Sequence, residues 1–283
     1  AATFNTCWEH HNRGEWMPLE HCYTKTAAAE SPGRAQVAVG PEIADAARSL
    51  HTDFPDLRGE PQLVLVDGAK LVAAVRLSGK HAKLGKSIGV LGGVVLDYDA
   101  AGLVTHESDY FDAGTITSQL VPSETSPARA WDSATTLAKQ TVVAAHDAKE
   151  AANVAAVNQA VAAFGRHDFA GFGALLADDA TWSDQTKPVD ATKTQVIAEL
   201  QAVTRSFPDI AMTVQDLWGA GDYVVEIGEL RGTNDGDIRG ALTPTHKKIA
   251  VPYLAIHQVI AGKLAHTWVF EQGDAIPRQL GLK

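Results

Sequence analysis

The chain has 283 residues, of which 45% are hydrophobic and 20% are charged, and its formal net charge is −10. This length and composition fit two folded domains of ordinary size and exclude a disordered or fibrous protein. The acidic balance, without a basic stripe, argues against a nucleic-acid-binding protein, and no apolar run is long enough to span a membrane.

The first half of the chain predicts helices followed by strands. Trp8–His21 has the spacing of short opening helices, and Pro41–Thr52 has that of a third helix. A linker rich in Pro, Ser and Thr follows at Val121–Pro127, and Ala128–Lys149 is helix-prone. The predicted strands between the third helix and this linker are Glu60–Leu65, Lys70–Ser78, Gly89–Asp97 and Leu103–Phe111.

The second half predicts the same order of elements. Ala151–Arg166 and Asp168–Leu176 are predicted as opening helices, Ala180–Ser183 as a short strand and Lys193–Ser206 as the third helix. The later strands, separated by turn sequences, are Ile210–Trp218, Tyr223–Gly232, Lys248–Val259 and Lys263–Glu271. Helices followed by an antiparallel meander predict an α+β fold.

The two halves also repeat each other residue by residue. Phe54–Leu57 (Phe-Pro-Asp-Leu) recurs 153 positions later as Phe207–Ile210 (Phe-Pro-Asp-Ile). A second block, at an offset of 160 positions, aligns His106 with His266. We therefore predict a tandem duplication, with a first domain at 1–121, a helical linker at 122–149 and a second domain at 150–283.

This order of elements, the Phe-Pro-Asp turn after the third helix and the ending Gly262–Gln272 followed by Gln279-Leu280 resemble the SnoaL-like polyketide cyclases of the nuclear transport factor 2-like superfamily. The resemblance implies two tandem cone-shaped α+β barrel domains, each with N-terminal helices and a curved antiparallel sheet. It also implies that they pack as an intramolecular pseudo-dimer, and further self-association stays open.

The same resemblance implies a function. It is that of a cofactor-independent enzyme that acts on a small hydrophobic carbonyl compound by acid/base proton transfer, as a cyclase, isomerase or dehydratase. The alternative is a non-catalytic module for small-molecule binding or assembly, because one fold can serve both purposes. The expected partner is a small hydrophobic or aromatic ligand, and neither a nucleic acid nor a membrane is expected.

Candidate residues of the first copy lie on its last strand. His106, Ser108, Tyr110 and Asp112 share one face by the period of two, and if that face lies inside the cone they form an acid/base set. Asp112 also lies where SnoaL-like cyclases resemble one another in having a carboxylate at the strand end. In the alternative interpretation, Asp112 only caps the helix that follows. We take Asp112, His106 and Tyr110 as candidate catalytic residues and Ser108 as a candidate ligand-binding residue.

The second copy differs, because Gln272 replaces the strand-ending carboxylate. Its candidate catalytic residues are Asp184 and His257, which would pair across the cone. The placement of Asp184 resembles that of the general-base aspartate in ketosteroid isomerases of the same superfamily. Candidate ligand-binding residues are Trp182, Trp268, Phe270 and Gln272, although lone aromatic residues and strand histidines are also common in ordinary cores.

Metal, cysteine and compartment signals are sparse. The adjacent His10 and His11 point to different helix faces. Glu15 lies four residues after His11, but no third ligand is evident nearby, so we predict no metal and no cofactor. Cys7 and Cys22 align with apolar residues of the second copy, which favours two buried thiols, with a disulfide as the open alternative. We expect a cytoplasmic protein. The chain starts without methionine, so removal of a signal peptide and secretion stay open.

Overall fold

A computed structural model of the protein describes residues 1–34, 37–122, 129–130, 137, 139–238 and 243–282. The chain forms two compact units, Ala1–Ala144 (unit 1) and Ala145–Lys283 (unit 2). Each unit packs helices against a β-sheet, so the predicted α+β class is confirmed. Within the described ranges, no helix is both long and apolar enough to cross a membrane.

Unit 1 has the predicted order of helices and strands, with additional short elements. Its sheet has the strand order β2-β1-β6-β5-β4-β3-β7, in which β1 runs parallel to β6 and β3 runs parallel to β7. The elements are α1 (Ala2–Arg13), α2 (Trp16–Glu20), β1 (Tyr23–Glu30), β2 (Val37–Val39), α3 (Glu42–Asp53), β3 (Arg58–Asp67), β4 (Lys70–Lys80), β5 (Ser87–Tyr98), β6 (Val104–Tyr110), α4 (Ala113–Leu120) and β7 (Gln140–Val143).

Unit 2 repeats this arrangement. Its sheet has the strand order β10-β11-β12-β13-β8-β9, and β8 runs parallel to β13, as β1 does to β6 in unit 1. The elements are α5 (Ala148–Gly165), α6 (Phe169–Leu175), β8 (Leu176–Asp184), β9 (Ala191–Thr192), α7 (Lys193–Ser206), β10 (Ala211–Ala220), β11 (Tyr223–Thr233), β12 (Lys248–Ile260), β13 (Lys263–Glu271) and α8 (Ala275–Leu280).

Irregularities of the two sheets repeat as well. The β3–β4 pairing shifts register between Pro61 and Leu63, and the β10–β11 pairing shifts between Val214 and Asp216, which lie 153 positions later. A β-bulge is a specific backbone feature that a sequence must accommodate. Its recurrence at matched positions supports a tandem duplication in the fold as well as in the sequence.

The repeated Phe-Pro-Asp turn has a structural role in both units. The Asp56 carboxylate accepts a hydrogen bond from the Lys80 backbone N–H at 2.7 Å, and Asp209 accepts one from Thr233 at 2.5 Å. These bonds tie the end of the third helix to the strand beside it. At Gly232, an added Cβ would lie 2.9 Å from the Ile210 side chain, so only glycine fits without displacement of that side chain.

The prediction that Cys7 and Cys22 are free thiols is wrong, because the two residues form a disulfide. Gly14, in the left-handed conformation with φ of 67°, reverses the chain after α1 and returns α2 alongside it. This hairpin brings the two Cα atoms to 6.1 Å, within the range that a disulfide spans. Both cysteines are buried, as expected.

The segment 122–149, which the sequence predicted as a helical linker, contains a β-strand. Gln140–Val143 is the strand β7, which pairs in parallel with Leu63–Val66 of β3. Residues 123–128, 131–136 and 138 lie outside the described residues. Helix α5 begins at Ala148, where the Asp147 side chain caps it.

Candidate functional site

The inner face of each sheet is the face that packs against the helices. In unit 1, Phe4 of α1 belongs to one buried cluster with Val94 and Leu96 of β5. In the β5–β6 ladder, Leu96 pairs with Glu107 and Val94 pairs with Asp109. Paired residues of adjacent strands point to the same side, so Glu107 and Asp109 lie on the inner face.

This placement corrects the face expected for His106, Ser108 and Tyr110, which lie on the outer face instead. The reason is a β-bulge: Tyr98 pairs with Val104, whereas Asp97 pairs with His106. One extra residue, Thr105, therefore interrupts the alternation, and side chains after it point to the opposite side.

The outer-face residues do come together, as a polar group. His106 Nε2 lies 3.2 Å from Ser108 Oγ and 3.3 Å from Glu30 Oε1. Tyr110 is buried on the same face. In the described part of the chain, no group of three or more His, Cys, Asp or Glu side chains is arranged to hold a metal ion.

Asp112 is the N-cap of α4, as the alternative interpretation of this residue proposed. Its carboxylate accepts hydrogen bonds from the backbone N–H of Gly114 at 3.2 Å and from the N–H and hydroxyl of Thr115 at 2.8 Å and 2.7 Å. The carboxylate is thus committed to ending β6 and starting a helix.

Glu107 and Asp109, here called the acid pair, form the polar centre of unit 1's inner face. They hydrogen bond to each other, and Tyr23 Oη donates to Glu107 Oε2 at 2.5 Å. Burial raises the pKa of the Glu107 carboxyl. Burial and then the charge of Glu107 raise the pKa of Asp109 well above its usual value. The pair therefore retains a proton at pH values where ordinary carboxyl groups have lost theirs.

Two tyrosines accompany the acid pair. Burial, followed by the charge of Glu107, raises the pKa of both Tyr23 and Tyr98, so their hydroxyls remain hydrogen-bond donors. Tyr98 Oη is buried and has no hydrogen-bond partner among the described residues. Because an unpaired buried hydroxyl is costly, Tyr98 is a ready donor to a ligand. Trp8 and Phe111 pack against the same buried cluster and supply an apolar wall.

Unit 2 has a different polar group on its inner face, here called the Glu226 network. Tyr253 Oη donates a hydrogen bond to Glu226 Oε1, and His257 Nε2 lies 3.1 Å from Glu226 Oε2. His257 Nδ1 lies 2.9 Å from Thr267 Oγ1. Burial and the charge of Glu226 raise the pKa of Tyr253. All four side chains are buried, with exposed fractions between 1% and 5%.

The expected pair of Asp184 and His257 is replaced by this network. Asp184 does lie on the inner face, since it pairs with Val269, but its Oδ1 accepts from the backbone N–H and hydroxyl of Thr186 at 2.9 Å and 2.7 Å. Trp182 also lies on the inner face, with its ring centroid 6.3 Å from that of His257.

The other expected ligand-binding residues of unit 2 lie elsewhere. Trp268 and Phe270 alternate with the inner-face residues of β13 and therefore point outward. Trp268 stacks on His266 with ring centroids 3.9 Å apart. Gln272 is buried just beyond the end of β13.

Sequence reasoning missed the acid pair, its two tyrosines, Glu226 and Tyr253. A usable signal existed for Glu226, which interrupts the apolar run Tyr223–Ile227 of β11. A carboxylate inside such a run has to be paired or neutralised, which marks it for attention. No comparable signal marked the acid pair, because its face depends on the bulge at Thr105.

The strand pairings of the two units match, so each inner-face position of one unit has an equivalent position in the other. A comparison of these positions shows which polar side chains the fold requires. The positions of Tyr23, Tyr98 and Asp109 are apolar in unit 2, and those of Glu226, Tyr253 and His257 are apolar or glycine in unit 1. Glu107 is matched by Thr267, the neutral threonine of the Glu226 network. The same fold therefore forms without either set of ionisable side chains. In unit 2, the equivalents of Tyr23, Tyr98, Glu107 and Asp109 are Leu176, Val259, Thr267 and Val269; in unit 1, those of Glu226, Tyr253 and His257 are Ala73, Gly92 and Leu96.

Comparison with known proteins gives one family match. Residues 157–267 match the SnoaL-like domain family. Curated proteins give no match to the chain.

Solved structures similar to the chain each align with about half of it. AclR of Streptomyces galilaeus, a proposed hydroxylase, is 19% identical, with 47% of this chain and 83% of AclR covered and a TM-score of 0.44. IdmH of Streptomyces antibioticus, a proposed polyketide cyclase, is 23% identical, with 46% of this chain and 98% of IdmH covered and a TM-score of 0.42. A Catenulispora acidiphila protein with a ketosteroid isomerase-like fold, solved with trimethylamine, is 21% identical, with 45% and 93% covered and a TM-score of 0.39.

Proposed function

We propose that the inner face of unit 1 is the active site of a cofactor-independent enzyme. The proposal is supported by the match of residues 157–267 to the SnoaL-like domain family and by the same order of elements in unit 1. The enzyme acts on a small hydrophobic carbonyl compound by acid/base proton transfer, in a cyclisation, isomerisation or dehydration. The acid pair carries this proposal, because proton transfer near neutral pH needs groups whose pKa is shifted toward the working pH.

The proposed roles follow from the protonation of the acid pair. Glu107 accepts hydrogen bonds from Tyr23 and Asp109, which marks it as the ionised partner and hence the base that removes a proton next to the carbonyl. Asp109 keeps its proton and acts as the acid that returns one. Tyr98 donates to the carbonyl oxygen as negative charge develops there, which is the position where a preorganised donor contributes most.

The residues expected from the sequence enter this proposal in supporting roles. A positive charge on the His106 ring would lower the pKa of Glu107, although the ring lies on the outer face. Asp112 lies two residues after β6, the strand that carries the acid pair, and fixes the end of that strand as the N-cap of α4. Asp184 remains a candidate base for a reaction in unit 2.

The test is exchange of solvent deuterium into the α-carbon of small aromatic and polyketide-like ketones, followed by proton NMR. This assay detects proton transfer without knowledge of the complete reaction. Glu107→Gln and Asp109→Asn should each lower the exchange rate by about 10²-fold or more. Asp112→Asn is the matched control, because it makes the same carboxyl-to-amide change nearby and should retain exchange.

Two outcomes would overturn the proposal. If wild-type protein exchanges none of the ketones faster than buffer, the inner face of unit 1 is not a site of proton transfer for this class. If Asp112→Asn abolishes exchange and the acid-pair variants keep it, the active site is the one expected from the sequence. Ligand binding without exchange would favour the alternative function, a non-catalytic binding module.

The disulfide bears on where the protein works. Disulfides persist in oxidising compartments and are rare in the reducing cytosol. We therefore propose that the Cys7–Cys22 bond forms during folding outside the cytosol, in place of the cytoplasmic location expected from the sequence. The mass of alkylated protein taken from its native compartment tests this directly, and two alkylated cysteines would contradict it.

A further inference from the structure

The disulfide of unit 1 lies beside the proposed active site. Cys22 immediately precedes Tyr23, the first residue of β1, whose hydroxyl donates to Glu107 Oε2 at 2.5 Å. Cys7 immediately precedes Trp8 of α1, which packs against the buried cluster of the inner face. The bond between the two cysteines therefore joins the helix that covers the inner face to the start of the strand that contacts the acid pair.

The start of β1 has few other attachments. Tyr23 pairs with Val104 of β6, and the Cys22 carbonyl accepts a hydrogen bond from the Val104 N–H at 2.9 Å. The next pair of this ladder joins Ala28 to His106, so the pairing is interrupted over residues 24–27. Tyr23 also packs against the buried cluster that contains the two cysteines. One isolated pair holds a strand end less firmly than a continuous ladder, so the disulfide contributes to the position of Tyr23.

The fold does not require this disulfide. The residues 153 positions after Cys7 and Cys22 are Ala160 and Leu175, which pack in the apolar core of unit 2. Unit 2 forms the same pair of helices and the same interrupted ladder with these apolar contacts. Its equivalent of Tyr23 is Leu176, which has no hydroxyl group to orient. The covalent bond is thus present in the unit where a tyrosine hydroxyl has to reach a carboxylate, and absent in the other.

The position of Tyr23 affects the protonation of Glu107. Burial raises the pKa of the Glu107 carboxyl, and the hydrogen bond from Tyr23 acts against this rise. The hydrogen bond therefore favours the ionised carboxylate, which is the proposed base. The other ionisable groups that interact with Glu107 are Asp109, Tyr98 and His106. A displacement of the tyrosine hydroxyl by about 1 Å would be enough to break a hydrogen bond of this length.

We infer that the Cys7–Cys22 disulfide is a positioning element of the proposed active site, which holds the start of β1 so that Tyr23 donates to Glu107. Loss of the bond lets the tyrosine hydroxyl move away and lowers the rate of proton transfer in unit 1. The effect on the rate rests on the proposed function, whereas the positioning of Tyr23 is a property of the fold.

The test measures the pKa of Glu107 directly, so it does not depend on turnover. The NMR signal of the Glu107 carboxyl carbon is followed across pH in the full chain, and it is assigned by its absence from Glu107→Gln. A variant with the residues of unit 2, Cys7→Ala with Cys22→Leu, should raise the lower apparent pKa of the acid pair by about one pH unit or more. Tyr23→Phe should raise it by the same amount, and the combination should add nothing further.

Deuterium exchange into ketones gives the second readout. In the disulfide variant, the acidic limb of the pH profile should move to higher pH, with a rate about ten-fold lower on that limb. If wild-type protein exchanges none of the ketones, the proposed function fails, while the NMR titration still decides whether the disulfide positions Tyr23.

Asn12→Ala is the matched control. The Asn12 side chain joins α1 to the Gly59 backbone, with its Nδ2 donating at 2.9 Å and its Oδ1 accepting at 2.7 Å. Its removal loosens the same helix without a change at the start of β1, and it should leave the pKa of Glu107 unchanged. An equal shift in Asn12→Ala would show that general loosening of α1 is the cause, which contradicts the inference.

Two further outcomes would overturn the inference: an unchanged pKa of Glu107 in the disulfide variant, or a shift that adds to that of Tyr23→Phe. Wild-type protein reduced with dithiothreitol is a second form without the bond, in case the variant does not fold. The reductant transfers two electrons and two protons to the two sulfur atoms and closes its own disulfide. Reduction should shift the pKa of Glu107 as the variant does, and reoxidation should restore it.

Discussion

Replacement of Asp109 by asparagine should make unit 1 more stable at neutral pH and less active. In the unfolded chain, Asp109 ionises near the ordinary aspartate pKa of about 3.9, whereas burial and the charge of Glu107 raise its pKa well above this in the fold. Wild-type folding above pH ~4 therefore requires Asp109 to take up a proton. Asparagine is neutral in both states and keeps an N–H donor for Glu107, so the variant avoids this cost.

The magnitude follows from proton linkage. A group whose pKa is raised by folding contributes its full stability below the unfolded pKa, and this contribution falls as pH rises toward the folded pKa. The slope for one proton is about 1.4 kcal/mol per pH unit. The advantage of Asp109→Asn over wild type should thus be near zero at pH ~4, grow with that slope, and level off above the folded pKa of Asp109.

The measurement should report on unit 1 alone, because a chain with two units need not unfold in one step. Native-state hydrogen exchange of β5 and β6 peptides, measured by mass spectrometry across this pH range, gives the local free energy of opening. Peptides of β12 and β13 in unit 2 are the internal control and should not differ between the proteins. An advantage that is constant with pH, or that shrinks as pH rises, would show that Asp109 is ionised in the fold.

Three further changes test individual contacts. Cys7→Ser with Cys22→Ser should lower the free energy of unfolding of unit 1 by about 2–4 kcal/mol in urea titrations, and a loss below about 1 kcal/mol would contradict a formed disulfide. Asp112→Ala should cost about 0.5–2 kcal/mol in thermal unfolding, with Asp112→Asn recovering most of it, because both side chains cap α4. Burial opposes ionisation of Glu150, yet hydrogen bonds from backbone N–H groups lower its pKa overall. The ionised Glu150 side chain therefore stabilises the fold above the pKa of about 4.3 that it has in the unfolded chain, and this stabilisation is lost as pH falls through the pKa that it has in the fold. Wild-type protein should therefore exceed Glu150→Gln in stability at pH ~7 and lose that advantage in strong acid, as urea unfolding at several pH values would show.

Much of the fold is encoded locally and could be predicted. Helix α7 begins and ends at the residues that the sequence indicated, because Thr192 and Gln195 form a capping box and Phe207-Pro208 stops it. Strand β13 was also predicted with its observed bounds, since glycine at position 262 takes the left-handed turn before it. In contrast, β7 depends on parallel pairing with the distant strand β3, for which four residues of local sequence give no signal.

The candidate site was harder to predict, for a geometric reason. Its strand was identified correctly, and the period of two correctly grouped His106, Ser108 and Tyr110 on one face. Val104 is a core residue, so unbroken alternation would have placed that face inside. A bulge is defined by the partner strand and not by the composition of the strand that carries it, so its position could not be read from β6 alone.

The bulge at Thr105 also has an evolutionary consequence. Strand β6 carries two complete polar sets, one on each side, and one extra backbone residue decides which set meets the interior. Deletion of that residue would exchange a pair of carboxyl groups for a histidine, a serine and a tyrosine without altering any of those side chains. A duplicated gene with such a strand can therefore change the chemistry of a copy through a single codon gained or lost, a far shorter route than successive substitutions.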